Sequence, residues 1–334
     1  MTQSRRLQFR LADLPPVPSP GSLGRVAVIY GGWSSEREVS IRSGSAVLRA
    51  LCESGVDAHA FDPASDRLAQ LENGGFDRAF LILHGRFGED GAIQGVLETL
   101  QIPYTGSGIQ ASAIAIDKTA TKRLWTAAGI PTPGGLTLRR GAPLPANLAA
   151  LGERLIVKPA REGSTVGVTK VNGANRAELM RALEDAWRFD ADVLVEECII
   201  GRELTCAVIG TDDQARYLPI VEIRAPGANY DYHNKYLGND TQYLCPAPLS
   251  EAASRRIGEL CVDAYRQVGA RGWGRIDIML RGEGEAAQPC LLEINTAPGM
   301  TDHSLVPMAA REAGLDFTQL VVRLLADASL ELKR

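Results

Sequence analysis

G-W-G-R-I-D-I-M-L at residues 272–280 and L-L-E-I-N at 291–295 carry the reading of the fold. Alternate residues of a β-strand share a face. Arg275, Asp277 and Met279 therefore lie on one side of the first run, and Ile276, Ile278 and Leu280 on the other. In the second run Leu291, Glu293 and Asn295 share a side, opposite Leu292 and Ile294. If the two runs are neighbouring strands, Asp277, Glu293 and Asn295 converge as an all-oxygen set. That donor type suits Mg²⁺, which takes a few carboxylates together with substrate phosphates and water. Singly, each of the three is an ordinary polar residue on a solvated sheet. With Arg275 beside them and N-T-A-P-G-M (295–300) following, they read as a metal site.

Upstream of this pair, strands are expected at 203–209 and 216–224, then an irregular stretch at 225–247 and a helix at 250–268. Two helices close the chain. Earlier still, L-I-V-K (155–158) is an apolar strand ending in Lys158, followed by the Gly-rich turn R-E-G-S-T-V-G-V (161–168). Backbone N–H groups of such a turn can cradle phosphate oxygens, with the nearby ammonium adding charge. The pattern is not G-x-x-x-x-G-K-[ST], so it is no Walker A loop. A helix near 175–188 and the strand V-L-V-E (193–196) follow, and the acids closing that strand, Glu196 and Glu197, either reach nucleotide donors or lie on the surface. Residues 25–105 alternate differently: strand R-V-A-V-I-Y (25–30), a helix towards Leu51 opened by a capping box at Ser35 and Glu38, strands at 57–61 and 79–83, and a further helical stretch ending at Leu100. That alternation implies an open parallel α/β unit.

Composition narrows the class. The 334 residues exceed one ordinary core. A net charge of −4 argues against nucleic acid or an anionic membrane as the main partner. No apolar run approaches the ~20 residues of a membrane helix. Six cysteines without C-x-x-C spacing read as reduced thiols of a cytoplasmic protein. The first 24 residues, with Arg5, Arg6 and Arg10 before P-P-V-P-S-P-G, lack a secretory h-region and read as a flexible, dispensable extension. Only six of the 36 basic residues are Lys, so a Lys inside a motif stands out.

The motifs taken in order resemble the D-alanine–D-alanine ligase family. G-G-W-S-S-E-R-E-V-S (31–40), L-H-G-R-F-G-E-D-G (83–91), Y-T-G-S-G (104–108), I-V-K-P-A-R-E-G-S-T-V-G-V (156–168), Y-D-Y-H-N-K-Y (230–236), Q-Y-L-C-P-A (242–247), G-W-G-R-I-D (272–277) and E-I-N-T-A-P-G-M-T-D-H-S-L-V-P (293–307) carry the likeness from about residue 25 onward. The resemblance implies an α/β ATP-grasp fold in three parts after the 1–24 extension. These are an N-terminal open parallel α/β unit (25–106), a central α+β nucleotide-binding unit (107–196) and a C-terminal α+β unit carrying the metal site (197–334).

It further implies that ATP phosphorylates the carboxylate of one D-alanine and that the amine of a second attacks the acyl phosphate, in a cytoplasmic homodimer that makes a peptidoglycan precursor. By resemblance Lys118, Lys158 and Lys235 contact ATP phosphates, and Glu196, Glu197, Ile199 and Glu203 surround adenine and ribose. Asp277, Glu293 and Asn295 hold two Mg²⁺ or Mn²⁺ ions. Glu36 and His84 receive the first alanine, while Arg275 and the Gly299 N–H face the oxyanion. Ser304 and the Leu305 N–H take the second carboxylate, and Ser164 and Tyr236 latch the closing loops with Glu36. Glu197 replaces a Lys of some relatives, and His233 sits in a segment where relatives differ.

Three rivals are weighed. Another ATP-grasp carboxylate–amine ligase, or a relative taking D-lactate to make a depsipeptide, is the first, but the retained Lys235-Tyr236 pair resembles the dipeptide enzymes. A dehydrogenase would need G-x-G-x-x-G after residue 30, which is missing. An inactive nucleotide-binding module would have no use for intact metal and phosphate positions.

Overall fold

The computed structural model of the protein describes residues 7–13, 16, 18–145, 148, 151–226 and 240–332. Strands β1 (Arg25–Ile29), β2 (Asp57–Phe61) and β3 (Arg78–Leu81) form a parallel sheet in the order β2-β1-β3. The apolar run of β1 is split by strand alternation between two cores. Val26 and Val28 pack with Val47 and Leu51 of α1 (Arg37–Glu53). Ala27 and Ile29 pack on the other face with Ile93 and Leu97 of α3 (Ala92–Leu100), which follows the short α2 (Ala69–Asn73). A parallel sheet covered on both sides needs such continuous apolar strands.

The expected capping box does not form. Glu36, not Ser35, is the N-cap of α1, and it makes no side-chain cap bond. The Glu36 N–H instead donates to Ser34 Oγ at 3.2 Å, and Ser34 Oγ donates to the His84 carbonyl at 2.7 Å. The Glu36 carboxylate is thereby left for the cleft.

Helices α4 (Ile109–Ile116) and α5 (Lys118–Ala127) lead into an antiparallel sheet of order β4-β7-β5-β6. Its strands are β4 (Gly135–Arg139), β5 (Arg154–Pro159), β6 (Thr169–Asn172) and β7 (Asp192–Glu197). Leu179 and Leu183 of α6 (Arg176–Ala186) seal one face against Leu155, Val157 and Val195. Strands β4 and β6 lack a sequence signature because each buries a single residue, Leu138 and Val171.

The third sheet comprises β8 (Gly201–Ile209), β9 (Arg216–Tyr217), β10 (Val221–Arg224), β11 (Gln242–Leu244), β12 (Trp273–Arg281) and β13 (Gln288–Asn295), in the order β11-β10-β8-β12-β13 with β9 on β8. Helix α7 (Glu251–Gln267) packs Ile257, Cys261 and Tyr265 against it. The expected strand 216–224 is two strands, broken around Pro219, which has no N–H to give a ladder. The stretch 225–247, expected to be irregular, contains β11, paired antiparallel with β10.

Strands β12 and β13 are antiparallel neighbours, with Arg275 opposite Asn295 and Asp277 opposite Glu293. The register then shifts, so that Ile278 pairs with Leu291 and Leu292 is the extra residue. This bulge corrects the simple alternation read from the sequence. Leu291 lies in the core with Ile294, and Glu293 and Asn295 keep their common face.

Helices α8 (Leu305–Glu312) and α9 (Phe317–Ala326) return to the N-terminal sheet, where Val306, Ala310 and Val321 join the core of Val26 and Phe80. The described part of the first 24 residues is not a loose extension. Phe9 is 5% exposed within that core, its N–H donates to the Tyr217 carbonyl at 2.8 Å, and the Tyr217 N–H donates to the Leu7 carbonyl at 2.9 Å. Leu23 is buried there too. No helix of the described residues is long and apolar enough to cross a membrane.

Candidate active site

Loops and helices of the first two units meet the third sheet around a cleft of about 390 Å³. Its floor is the β12–β13 pair. Arg275 Nε and Nη2 grip Asp277 at 2.8 and 2.7 Å, and Thr205 Oγ1 donates to the same carboxylate at 2.7 Å. The Asn295 amide N–H donates to Asp277 at 3.2 Å. Glu293 pairs with Lys118 Nζ at 3.2 Å. Among the described residues no group of three or more His, Cys, Asp or Glu side chains is placed to hold a metal ion by itself. The face instead offers two carboxylates and an amide oxygen, hard donors that fit a divalent cation completing its shell with phosphate and water.

Lys118 opens α5, whose N-terminus is fixed from two sides. Asp117 caps it through Oδ1, accepting from the Thr119 and Ala120 N–H groups at 2.9 and 3.0 Å, and the Lys118 N–H donates to the Ala160 carbonyl at 3.0 Å. The Lys118 ammonium also donates to the Glu162 carbonyl at 2.7 Å. Burial opposes its charge, but Glu293, joined by Glu36 and Glu89, more than offsets this, and the pKa rises above the usual lysine value. Arg161 ties this helix to the Gly-rich loop, reaching Asp117 at 2.8 Å and Asp190 and Asp192 at 2.9 Å each.

The loop itself reaches across to the N-terminal sheet, where the Ser164 hydroxyl donates to Glu36. Ser164 and Thr165 adopt φ of 50° and 65°, an uncommon conformation for residues other than Gly. A Cβ on Gly163 would stand 2.6 Å from Glu36 Oε2, so a larger residue there would push the Glu36 carboxylate aside. His84 is buried and Glu89 half-buried on the same wall. Burial, seconded by Arg275, pulls the His84 pKa below its ordinary value in spite of Glu36, so the ring is neutral at physiological pH. Its Nε2 has no protein partner among the described residues. Burial and the Glu36 charge push the Glu89 carboxyl up to about 8, although it accepts from the Gly85 N–H at 2.7 Å and the Ala297 N–H at 3.3 Å.

At the far wall Gly299 faces Ser304, 3.3 Å from where a Cβ would stand to Ser304 Oγ. Ser304 is the N-cap of α8 but makes no side-chain cap bond; its hydroxyl instead accepts from the Thr301 N–H at 2.9 Å. The first N–H groups of α8, beginning at Leu305, are those a helix leaves for an anion.

The cleft thus brings together Glu36, His84, Lys118, Ser164, Arg275, Glu293, Asn295, Gly299, Ser304 and Leu305. The residues expected around adenine and ribose lie outside it. Glu196 is not a surface acid: it is 1% exposed, with Lys158 Nζ at 2.5 Å and Lys122 Nζ at 3.0 Å. Burial would protonate it, but Lys158 and Lys122 outweigh burial and keep it ionised. Glu197 pairs with Arg281 at 2.8 Å and accepts from the Gly134 N–H at 3.0 Å. Ile199 is buried just before β8, and Glu203 stands within β8 opposite Met279. Lys235 and Tyr236, with His233, lie outside the described residues.

Three site residues were not singled out from sequence. Lys122 follows Lys118 by one helical turn in a Lys-poor chain, Glu89 lies between glycine-rich turns, and Arg161 opens the Gly-rich loop.

Comparison with known proteins identifies the arrangement. Residues 59–107 match the model of the D-ala D-ala ligase N-terminus, and residues 124–326 that of the D-ala D-ala ligase C-terminus. The chain is 56% identical over 317 residues to the D-alanine–D-alanine ligase of Ralstonia pickettii, covering 95% of each chain. It is 52% identical over 318 residues to that of Polaromonas naphthalenivorans, covering 94% of this chain and 97% of the relative. Among solved structures, the D-alanine–D-alanine ligase from Bacillus anthracis complexed with ATP superposes with a TM-score of 0.78 at 31% identity, over 91% of this chain and 97% of that one.

Proposed function

The chain belongs to the D-alanine–D-alanine ligase family, and from that premise we propose how its cleft carries out the reaction. The protein is an ATP-dependent, ADP-forming ligase of the ATP-grasp fold that joins two D-alanines into D-alanyl-D-alanine for cell-wall synthesis. The relatives do not favour the D-lactate alternative. The observation that carries the assignment of roles is the meeting, in one cleft, of Lys118 and Glu293 with Glu36, Arg275 and Ser304.

A carboxylate resists attack by an amine until one oxygen becomes a leaving group. In the proposed sequence Glu36 receives the ammonium of the first D-alanine, and neutral His84 packs beside it without adding charge. A carboxylate oxygen of that alanine attacks the γ-phosphorus of ATP, the bond from phosphorus to the β–γ bridging oxygen breaks, and ADP departs. Lys118 and Lys158, joined by Lys235, stabilise the charge on the phosphates. Asp277, Glu293 and Asn295 would hold one or two Mg²⁺ or Mn²⁺ ions, whose chemistry is to neutralise the phosphate oxygens. The amine of the second D-alanine, oriented through its carboxylate by Ser304 and the Leu305 N–H, attacks the acyl carbon. Arg275 and the Gly299 N–H stabilise the oxyanion, the carbon–oxygen bond to phosphate breaks, and the nitrogen loses its proton. Ser164, Glu36 and Tyr236 close the loops so that water does not intercept the acyl phosphate.

The boundaries at 25, 107 and 197, adenine and ribose contacts by Glu196, Glu197, Ile199 and Glu203, a homodimeric assembly and a cytoplasmic location complete this proposal. Phosphate release from ATP with D-alanine, L-alanine or no amino acid, with identification of the product, tests it. Release that ignores D-alanine refutes the assignment.

A further inference from the structure

We propose that Lys122 is the standing counter-ion of Glu196, a positioning residue that frees the Lys158 ammonium to leave this carboxylate for a nucleotide phosphate. The inference rests on the reading of Lys158 as a phosphate contact and deepens it. Glu196 is shared by the two cations, Lys158 at Oε1 and Lys122 at Oε2, and all three side chains are more than nine-tenths buried. Their tethers differ. Lys158 stands at the end of β5, and Glu196 is its ion-pair partner among the described residues. Lys122 also donates to Thr132 Oγ1 at 2.7 Å, and Thr132 Oγ1 donates to the Leu291 carbonyl at 2.8 Å. One ammonium thus anchors α5, the connection before β4 and strand β13 around the same carboxylate.

A buried carboxylate stripped of its only cation is strongly disfavoured. If Lys158 alone compensated Glu196, every phosphate contact it made would leave that penalty behind. Lys122 removes it, because Glu196 keeps a partner when Lys158 turns away. The charges facing Lys122 are consistent with this. Burial, with Lys158 alongside, brings its pKa down to about 8 despite Glu196 and the more distant Glu293. Departure of Lys158 removes the repulsion and leaves the remaining pair more firmly ionised.

Isothermal titration of the full chain with Mg-ATP and, separately, with adenosine tests the hand-over, because only ATP asks Lys158 to move. Lys122→Met is expected to weaken ATP by about tenfold or more, while adenosine, which meets Glu196 only through its base, weakens severalfold less. In a Glu196→Gln background the same substitution should alter ATP affinity by less than about twofold, since no charge remains to compensate. Lys122→Arg should restore most of the ATP affinity. Lys122→Gln, which keeps a donor for Thr132, provides the same comparison if the Met variant folds poorly. Equal weakening of ATP and adenosine, or an undiminished loss in the Glu196→Gln background, overturns the proposal. Lys158→Ala separates the two layers: unchanged ATP affinity there refutes the phosphate assignment itself. Weakening by Lys158→Ala but not by Lys122→Met refutes only the hand-over.

Discussion

Asp277 and Glu293 stand directly opposite each other across the antiparallel β12–β13 pair, one gripped by Arg275 and the other by Lys118. The two carboxylates therefore share a face of the β12–β13 pair, and each holds a cation that lines the cleft. On the proposed metal assignment, Asp277→Ala or Glu293→Ala should cut turnover by about a hundredfold or more with an unchanged circular dichroism spectrum, since an oxygen donor would be lost. Near-normal turnover at saturating magnesium would remove these residues from the metal site.

The hydroxyl of Ser164 joins the Gly-rich loop to Glu36 across 128 residues of sequence. Ser164→Ala breaks that latch and leaves the metal face alone. The expected result is uncoupling, with more phosphate released than dipeptide formed, as water reaches the acyl phosphate. A strictly one-to-one ratio at normal rate would show that the latch is not needed to exclude water.

Glu89 gives the site a pH signature. Its carboxyl is raised from 4.5 to about 8 by burial and Glu36. Between those values the folded chain holds a proton that the unfolded chain releases, so this group's contribution to stability is full below pH 4.5 and declines as the pH rises to about 8. Glu89→Gln cannot titrate. The melting temperature of the variant minus that of the parent should therefore grow from pH 5 towards pH 8. A difference independent of pH would contradict the protonated state.

Phe9 is buried in the core cluster shared by the N-terminal sheet, the third sheet and α8–α9, so removing the first residues is not neutral. Phe9→Ala should cost about 3 kcal/mol, the usual order for emptying a buried aromatic site, seen as a lower midpoint in urea. A midpoint equal to that of the parent would restore the view of residues 7–11 as a loose extension.

What was legible in the sequence is what local pattern encodes. Period-two alternation placed Asp277, Glu293 and Asn295 on one face, and the apolar run of β1 announced a covered parallel strand. The bulge at Leu292 was not legible, because it is set by pairing with β12 and not by the composition of β13. Phe9 was misread since its partner, the Tyr217 backbone, is more than two hundred residues away. Glu196 read as a strand-end acid because nothing local shows that Lys122 and Lys158 close over it. Glu89 owes its raised pKa to burial and to the Glu36 charge, again remote in sequence.

The central claim, activation of the first D-alanine as an acyl phosphate, is tested most directly with D-alanine carrying ¹⁸O in both carboxylate oxygens. Each turnover should move one labelled oxygen from the first alanine into inorganic phosphate, with the other retained in the new peptide carbonyl. Mass spectrometry of the released phosphate reads this transfer. One ¹⁸O per phosphate is the predicted result, and phosphate free of ¹⁸O alongside normal dipeptide formation would contradict the account.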